Sequence, residues 1–248
     1  DVTMRFGGLV AMDRVSFSVP GTGVTALIGP NGAGKTTAFN VISGHLRPQD
    51  GSLSVFGRPC TGAPPSALAG WGLARSWQDG RLYQDMTVLE NLVVARRSPL
   101  AETAIGRLLR PGRAAEEERQ AVAKARAVLE RIGLAPLADL FAADISYAEQ
   151  RLLSVGQLLM RDPRLMLLDE PAAGLDGDSI DRLVEIVRAT AAAGVPVLIV
   201  EHSLSVVRAV ADSCVFMSNG VVVAQGTPEA LLAREDLIDL YFGQGWRA

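Results

Sequence analysis

The sequence predicts an α/β core interrupted by a helical insert, and three observations carry that prediction. Short, almost continuously apolar runs at Val24–Ile28, Leu165–Leu168 and Val195–Val200 read as strands buried on both faces of a parallel sheet. Each is followed by a turn and then a stretch of helical periodicity. Between about Gln78 and Asp162 the alternation stops, and charge-rich helical segments take its place.

Upstream of the first buried run, the stretch ending at Phe6 and the segment Arg14–Val19 are strand-like. The chain opens at Asp1 without an initiator Met, so residues are expected to precede it. Gly29–Gly34 is a glycine-rich turn opening a helix that runs to about Ser43. Ser52–Phe56 alternates like a strand, and Pro64 and Pro65 sit in a small-residue loop. Inside the insert, Thr87–Arg97 reads as a helix whose N-cap Thr87 has Glu90 three residues on, the pattern of a capping box. Pro99–Pro111 is irregular. Ala114–Ile132 is a long amphipathic helix with Glu116, Arg119, Arg126 and Glu130 on a solvated face, and Ser146–Arg161 is another helix, ended before Pro163. Beyond the insert come helix Asp178–Ala193, helix Ser203–Ala211 and strands Cys214–Met217 and Val221–Ala224. The two strands are joined by the hairpin dipeptide Asn219-Gly220, and Thr227-Pro228 opens a last helix.

Composition narrows the function classes. A chain of 248 residues is long enough to bury one sizeable core. With 48% apolar and 21% charged residues it is neither disordered nor fibrous. The balance of 24 basic against 27 acidic side chains leaves a net charge of −3, which provides no broad basic footprint for duplex nucleic acid. Cys60 and Cys214 match no zinc-ligand spacing and argue against a disulfide scaffold. No apolar run approaches the roughly 20 residues that span a bilayer, and no leader pattern is visible; a soluble protein of a reducing compartment is expected.

Two motifs carry chemistry. Gly29-Pro30-Asn31-Gly32-Ala33-Gly34-Lys35-Thr36 fits G-x-x-x-x-G-K-[ST], between an apolar strand and an apolar-periodic helix. Its glycines let successive N–H groups turn inward, and the helix N-terminus adds partial positive charge, which together make an anion cradle. Lys35, one of just two lysines among the 24 basic residues, is placed to reach the β- and γ-phosphates, and the Thr36 hydroxyl to ligate Mg²⁺. Leu165-Met166-Leu167-Leu168-Asp169-Glu170 is an apolar strand ending in two carboxylates. Asp169 suits Mg²⁺ and Glu170 suits the base that polarises an attacking water. His202 follows Val195–Val200 and Glu201, so another strand end carries it toward the same phosphates. His45 has no such context and reads as structural.

Together with Gln78 after a strand, Ser146-Tyr147-Ala148-Glu149-Gln150 opening a helix, and Gly174-Leu175-Asp176, these pieces resemble the nucleotide-binding subunits of ABC transporters along essentially the whole chain. The resemblance is sharpest to the ATP-binding subunits of branched-chain amino acid uptake. It rests there on Arg5-Phe6-Gly7-Gly8, Ser76-Trp77-Gln78, Met86-Thr87-Val88-Leu89-Glu90-Asn91-Leu92, Glu170-Pro171-Ala172-Ala173, Val200-Glu201-His202, Gly226-Thr227-Pro228-Glu229 and Tyr241-Phe242-Gly243.

The resemblance implies a P-loop NTPase (RecA-like) core with an antiparallel β subdomain and an inserted α-helical subdomain, all in one domain over residues 1–248. The core would take 1–78 and 163–248, and the helical subdomain 79–162. It implies ATP and Mg²⁺ as ligands, with Asn31, Gly32, Ala33, Gly34, Lys35, Thr36 and Thr37 around the phosphates. Phe6 would stack on adenine. Gln78 would touch Mg²⁺ or the attacking water, and His202 the γ-phosphate. Ser146, Ala148 and Glu149 belong to the signature that binds the opposite subunit's ATP, and Asp176 to the interface between two such subunits. The implied partners are transmembrane permease subunits, a second ATP-binding subunit (self or sister) and, indirectly, a solute-binding protein, with no nucleic acid. The implied location is the cytoplasmic face of the bacterial inner membrane. Met86, Val88 and Leu89 are expected either to offer an apolar groove to the permease or to be core positions.

The chain departs from the family signature Leu-Ser-Gly-Gly-Gln/Glu, reading Ile145-Ser146-Tyr147-Ala148-Glu149. Ala148 puts a methyl group where backbone approaches phosphate, and a non-glycine residue restricts φ. Slower turnover, or nucleotide binding without turnover, is the alternative that this opens.

Overall fold

A computed structural model describes residues 1–76, 82–96 and 111–242. Trp77 and Gln78 lie outside the described residues, as do 97–110 and 243–248. In chain order, the first elements are β1 (Val2–Phe6), β2 (Leu9–Val15), β3 (Val24–Ile28), α1 (Lys35–Ile42), β4 (Ser54–Val55), β5 (Arg58–Pro59), α2 (Pro65–Gly70) and β6 (Leu73–Arg75). The described helices α3 (Val88–Ala95), α4 (Pro111–Ile132) and α5 (Tyr147–Leu159) follow. The chain then forms β7 (Leu165–Asp169), α6 (Gly177–Ala192), β8 (Val197–Val200) and α7 (Leu204–Val210). It closes with β9 (Ser213–Ser218), β10 (Val221–Gly226), α8 (Pro228–Leu232) and α9 (Glu235–Phe242).

The chain divides into two compact units, one of residues 1–75, 164–173 and 187–248, the other of 76–163 and 174–186. The sequence reading assigned all of 163–248 to the core; residues 174–186 group instead with the helical unit. Arg182 Nη1 donates to Gly133 O (3.2 Å), and a Cβ on Gly174 would stand 3.0 Å from the Tyr147 ring, so 174–186 packs on the insert's own residues.

The first unit is built on a six-stranded sheet of order β10-β9-β3-β8-β7-β6, parallel except for the antiparallel β9–β10 hairpin. Every residue of β3, β7 and β8 is buried, as continuous apolar runs require of strands covered on both faces. The register places Asp169 opposite Val200, and Glu170 N donates to Val200 O (2.9 Å), extending that ladder by one residue. The C-terminal ends of β7 and β8 therefore emerge side by side.

Smaller differences from the sequence reading have local causes. The strand expected over Arg14–Val19 is β2, shifted toward the N-terminus, because Gly7-Gly8 forms the turn that pairs Phe6 with Leu9. The strand expected over Ser52–Phe56 shortens to β4, paired only with the two residues of β5. Pro65 does not lie in a loop: it opens α2 at a position where its missing N–H costs nothing.

In the second unit, α3 starts with the expected capping box, Thr87 Oγ1 accepting from Glu90 N (3.1 Å) and Glu90 Oε2 accepting from Thr87 N (2.8 Å). Val88 is wholly buried, so of the two roles expected for it the core position holds; exposed apolar side chains nearby include Val94 on the same helix and Tyr83, Leu140 and Phe141. No helix among the described residues is long and apolar enough to cross a membrane.

Candidate nucleotide-binding site

The site begins with the turn between β3 and α1. Two of its glycines are required by close approach. Gly29 has φ +144°, and a Cβ there would lie 1.9 Å from Met217 O; Gly34 has φ +99°, and a Cβ would lie 2.6 Å from Ala11 O. Gly34 is the N-cap of α1 and contributes no side-chain cap, which leaves the leading N–H groups of the helix to an anion. The β9–β10 hairpin backs this turn: Gly220 N donates to Ala33 O (3.2 Å), and Asp13 N to Gly220 O (2.8 Å). Lys35 is buried, with Nζ donating to Gly29 O (2.6 Å) and Pro30 O (2.9 Å). Burial lowers its pKa from the ordinary lysine value, against the opposing charges of Glu170 and Asp169.

At the end of β7, Asp169 is buried and pairs with Arg75 (Nη2 to Oδ2, 3.3 Å). Burial pushes its carboxyl up, and the Arg75 guanidinium works against that shift by charge and hydrogen bond. Arg75 also donates to Asn40 Oδ1 (2.7 Å) and Ser43 Oγ (2.6 Å) of the first helical segment, tying β6, β7 and α1 together. Glu170 holds φ at +47°, a left-handed value that a non-glycine residue rarely adopts. Its Oε1 accepts from His202 Nε2 at 2.8 Å, the direct consequence of the adjacent ends of β7 and β8. Glu201 is buried between them, accepting from Ala172 N (2.8 Å) and His202 N (3.3 Å). Burial raises its pKa, and these backbone donors oppose that rise.

A cleft of about 540 Å³ collects most of the residues expected around the nucleotide. Phe6, Asn31, Gly32, Ala33, Gly34, Lys35, Thr36, Thr37, Glu170 and His202 all line it. Leu9 and Val10, which the sequence reading passed over, add exposed apolar surface beside Phe6; their only sequence signal was their place after the Gly7-Gly8 turn. Asp169, which is buried, is not among the residues that line the cleft. The Thr36 hydroxyl and the Asp169 carboxylate are hard oxygen donors, the kind Mg²⁺ takes alongside phosphate oxygens and water. Among the described residues no cluster of three His, Cys, Asp or Glu could hold a metal ion. His45, read as structural, lies 2.9 Å by Nδ1 from Ser43 Oγ.

Ser146, Ala148, Glu149 and Asp176 belong to the second unit. Ser146 is the N-cap of α5, its Oγ accepting from Glu149 N (3.3 Å) while Glu149 Oε2 accepts from Ser146 N (2.7 Å). Tyr147 and Ala148 occupy the first helical turn and are absent from the positive-φ residues. The expected φ restriction at Ala148 therefore does not arise, and only the methyl group distinguishes it from glycine. At the start of α6 the Ser179 side chain hydrogen-bonds Asp176, and Ser179 N donates to Asp176 Oδ1 (2.9 Å); the side-chain bond first and the backbone bond second lower the Asp176 pKa. Gln78 lies outside the described residues.

A parallel sheet that brings a glycine-rich anion turn, a carboxylate at one strand end and a histidine at the next to a single cleft defines a phosphate-loop nucleotide-binding protein. Comparison with known proteins gives the family. The model of the ABC transporter family matches residues 12–173. The high-affinity branched-chain amino acid transport ATP-binding protein BraF of Pseudomonas aeruginosa is 36% identical over 244 residues, 98% of this chain and 96% of that protein. LivG of Escherichia coli K12, named for the same transport, is 34% identical over 242 residues, covering 97% and 95%. Among solved structures, the ADP conformation of MJ1267, an ATP-binding cassette of an ABC transporter, matches with a TM-score of 0.83 at 32% identity, covering 98% of this chain and 96% of that one. The chain belongs to the ABC transporter family, as an ATPase of the branched-chain amino acid transport group.

Proposed function

We propose that the chain is the ATP-hydrolysing subunit of an ABC importer. In this reading two such subunits, two copies of this chain or this chain and a sister, close head to tail over two ATP molecules. Hydrolysis then drives uptake of a branched-chain amino acid, or a related small polar solute, through transmembrane permease subunits supplied by a solute-binding protein. The observation that carries the reading is the meeting of the anion turn with the Glu170–His202 pair in one cleft.

Each residue has a defined task in this scheme. The N–H groups of Asn31–Thr37 cradle the phosphates, and Lys35 exchanges its two carbonyl partners for phosphate oxygens. Thr36 and Asp169, with Gln78, are the residues that would hold Mg²⁺, which when bound neutralises charge on the phosphate oxygens. Glu170 acts as the base that orients water toward the γ-phosphate, and His202 holds that carboxylate in place and contacts the same phosphate. Phe6, half exposed, gives adenine a face to stack on. The N-terminus of α5 at Ser146, with Ala148 and Glu149, presents N–H groups to the γ-phosphate of the opposite subunit's ATP, and Asp176 lies at that interface. Tyr83, Leu140 and Phe141 offer the exposed apolar surface against which a permease helix would rest. The solute class is supported by the relatives, which are named for branched-chain amino acid transport. The working position would be the cytoplasmic face of the bacterial inner membrane, held there by the permease.

Light scattering of the Glu170→Gln variant on a sizing column, with and without ATP, tests the assembly. A monomer-to-dimer shift on adding ATP is the expected result for self-pairing. A chain that stays monomeric with ATP bound points to a sister subunit, a required permease or a signature weakened by Ala148, whereas a chain that binds no ATP contradicts the proposal.

A further inference from the structure

The residue carrying the cleft's imidazole is held at both of its main-chain polar groups. The N–H of His202 donates to Glu201 Oε2 (3.3 Å), and its C=O accepts from the Tyr241 hydroxyl (2.9 Å). The other oxygen of Glu201 accepts from Ala172 N (2.8 Å), two residues beyond Glu170. One buried carboxylate therefore joins the loop that bears Glu170 to the loop that bears His202, and those two side chains meet 2.8 Å apart.

Tyr241 reaches His202 from α9. Its ring sits in an apolar pocket with Ile28, Leu204, Phe216, Leu231 and Leu237, and the Phe216 ring is tilted against it at 6.2 Å between centroids. Packing of the ring fixes where the hydroxyl points. Burial, then the charges of Glu201 and Glu170, push the phenol up to about 12, so at neutral pH it remains a donor. Glu201 likewise spends both of its oxygens on backbone N–H groups of the two loops, an arrangement that fixes main chain rather than touching a ligand.

We propose that Glu201 and Tyr241 are positioning residues for ATP hydrolysis: by fixing the main chain on both sides of His202 they hold its imidazole and the Glu170 carboxylate in the relation the reaction uses, which makes α9 part of the hydrolytic apparatus. The inference rests on the assignment of Glu170 and His202 as the acting groups. It extends that assignment to a helix of the chain that lines no part of the nucleotide cleft.

The test is steady-state hydrolysis by the full chain carrying Tyr241→Phe, Glu201→Gln or Glu170→Gln, with nucleotide affinity read separately by titration with a fluorescent ATP analogue. Tyr241→Phe deletes one hydroxyl and leaves the packed ring. Its kcat is expected to fall about tenfold while KM and analogue affinity stay within about twofold, because only the acting pair has lost a support. Glu201→Gln is expected to lose at least as much, since its amide turns a donor toward a donor. Should that variant fold poorly, Tyr241→Phe decides alone. Added to Glu170→Gln, Tyr241→Phe should lower turnover no further, as expected of groups acting through one another. A Tyr241→Phe chain with wild-type kcat, or one that loses kcat and affinity together, overturns the inference while Glu170→Gln is inactive. Wild-type turnover in Glu170→Gln removes instead the assignment beneath it, and the inference falls with it.

Discussion

Glu170 is held in a left-handed conformation that costs a non-glycine residue on the order of 1–3 kcal/mol, and it is held there by the ladder bond to Val200 and by His202. Strain of that kind at a strand end facing a cleft is characteristic of a group whose direction matters more than its comfort. Lys35 is the other residue whose placement is dictated by charge. Lys35→Ala is expected to weaken ATP binding at least about tenfold, because it removes the principal cation facing the phosphates; unchanged affinity in equilibrium titration contradicts the assignment of the anion turn. Glu201 yields a pH prediction. Its folded pKa is raised above the ordinary 4.5, so its contribution to stability is full below that value and is lost as pH rises through the folded pKa. The stability of wild type relative to Glu201→Gln should therefore decline as pH rises above the ordinary 4.5, and a flat or opposite trend in denaturant unfolding contradicts the burial argument. The places of Lys35, Asp169 and Glu170 were legible in the sequence because each follows closely on an apolar run, Lys35 after Val24–Ile28 and the two carboxylates at the end of Leu165–Leu168. Arg75 and Glu201 were not: they act on partners 94 and 29 residues away, and no local pattern announces such a pairing.

Elements were legible where burial on both faces leaves an unbroken apolar run, as in β3, β7 and β8, and where a capping box marks a helix start, as at Thr87. They were less legible where pairing alone defines the strand. β6 has three residues, β4 and β5 two each, too short for any periodicity, and β2 owes its position to the Gly7-Gly8 turn rather than to its own pattern. The signature helix α5 gives the prediction at this scale. Ala148 already has helical backbone, so glycine at that position removes a methyl group and adds chain entropy to the unfolded state, a cost of about 0.5–1 kcal/mol. Ala148→Gly should hydrolyse ATP at a rate equal to or above wild type with a slightly lower unfolding temperature. A clear drop in turnover at unchanged nucleotide affinity would show that the methyl group does not crowd the phosphate.

At the scale of the whole chain, the division of labour is between a unit that carries the cleft and a unit that carries the signature at Ser146. The sequence revealed both sets of motifs but placed the boundary after β7 too simply, because the residues that assign 174–186 to the helical unit, Tyr147 and Gly133, are remote in sequence. The family match over most of the chain defines an ATPase, and the account of how it hydrolyses ATP turns on one carboxylate. The most direct measurement is therefore single-turnover hydrolysis of bound ATP by wild type and Glu170→Gln at matched occupancy. The account predicts that Glu170→Gln binds ATP with affinity close to wild type and hydrolyses it at least about a hundredfold more slowly, the scale of a lost general base. Hydrolysis by Glu170→Gln at the wild-type rate would contradict it.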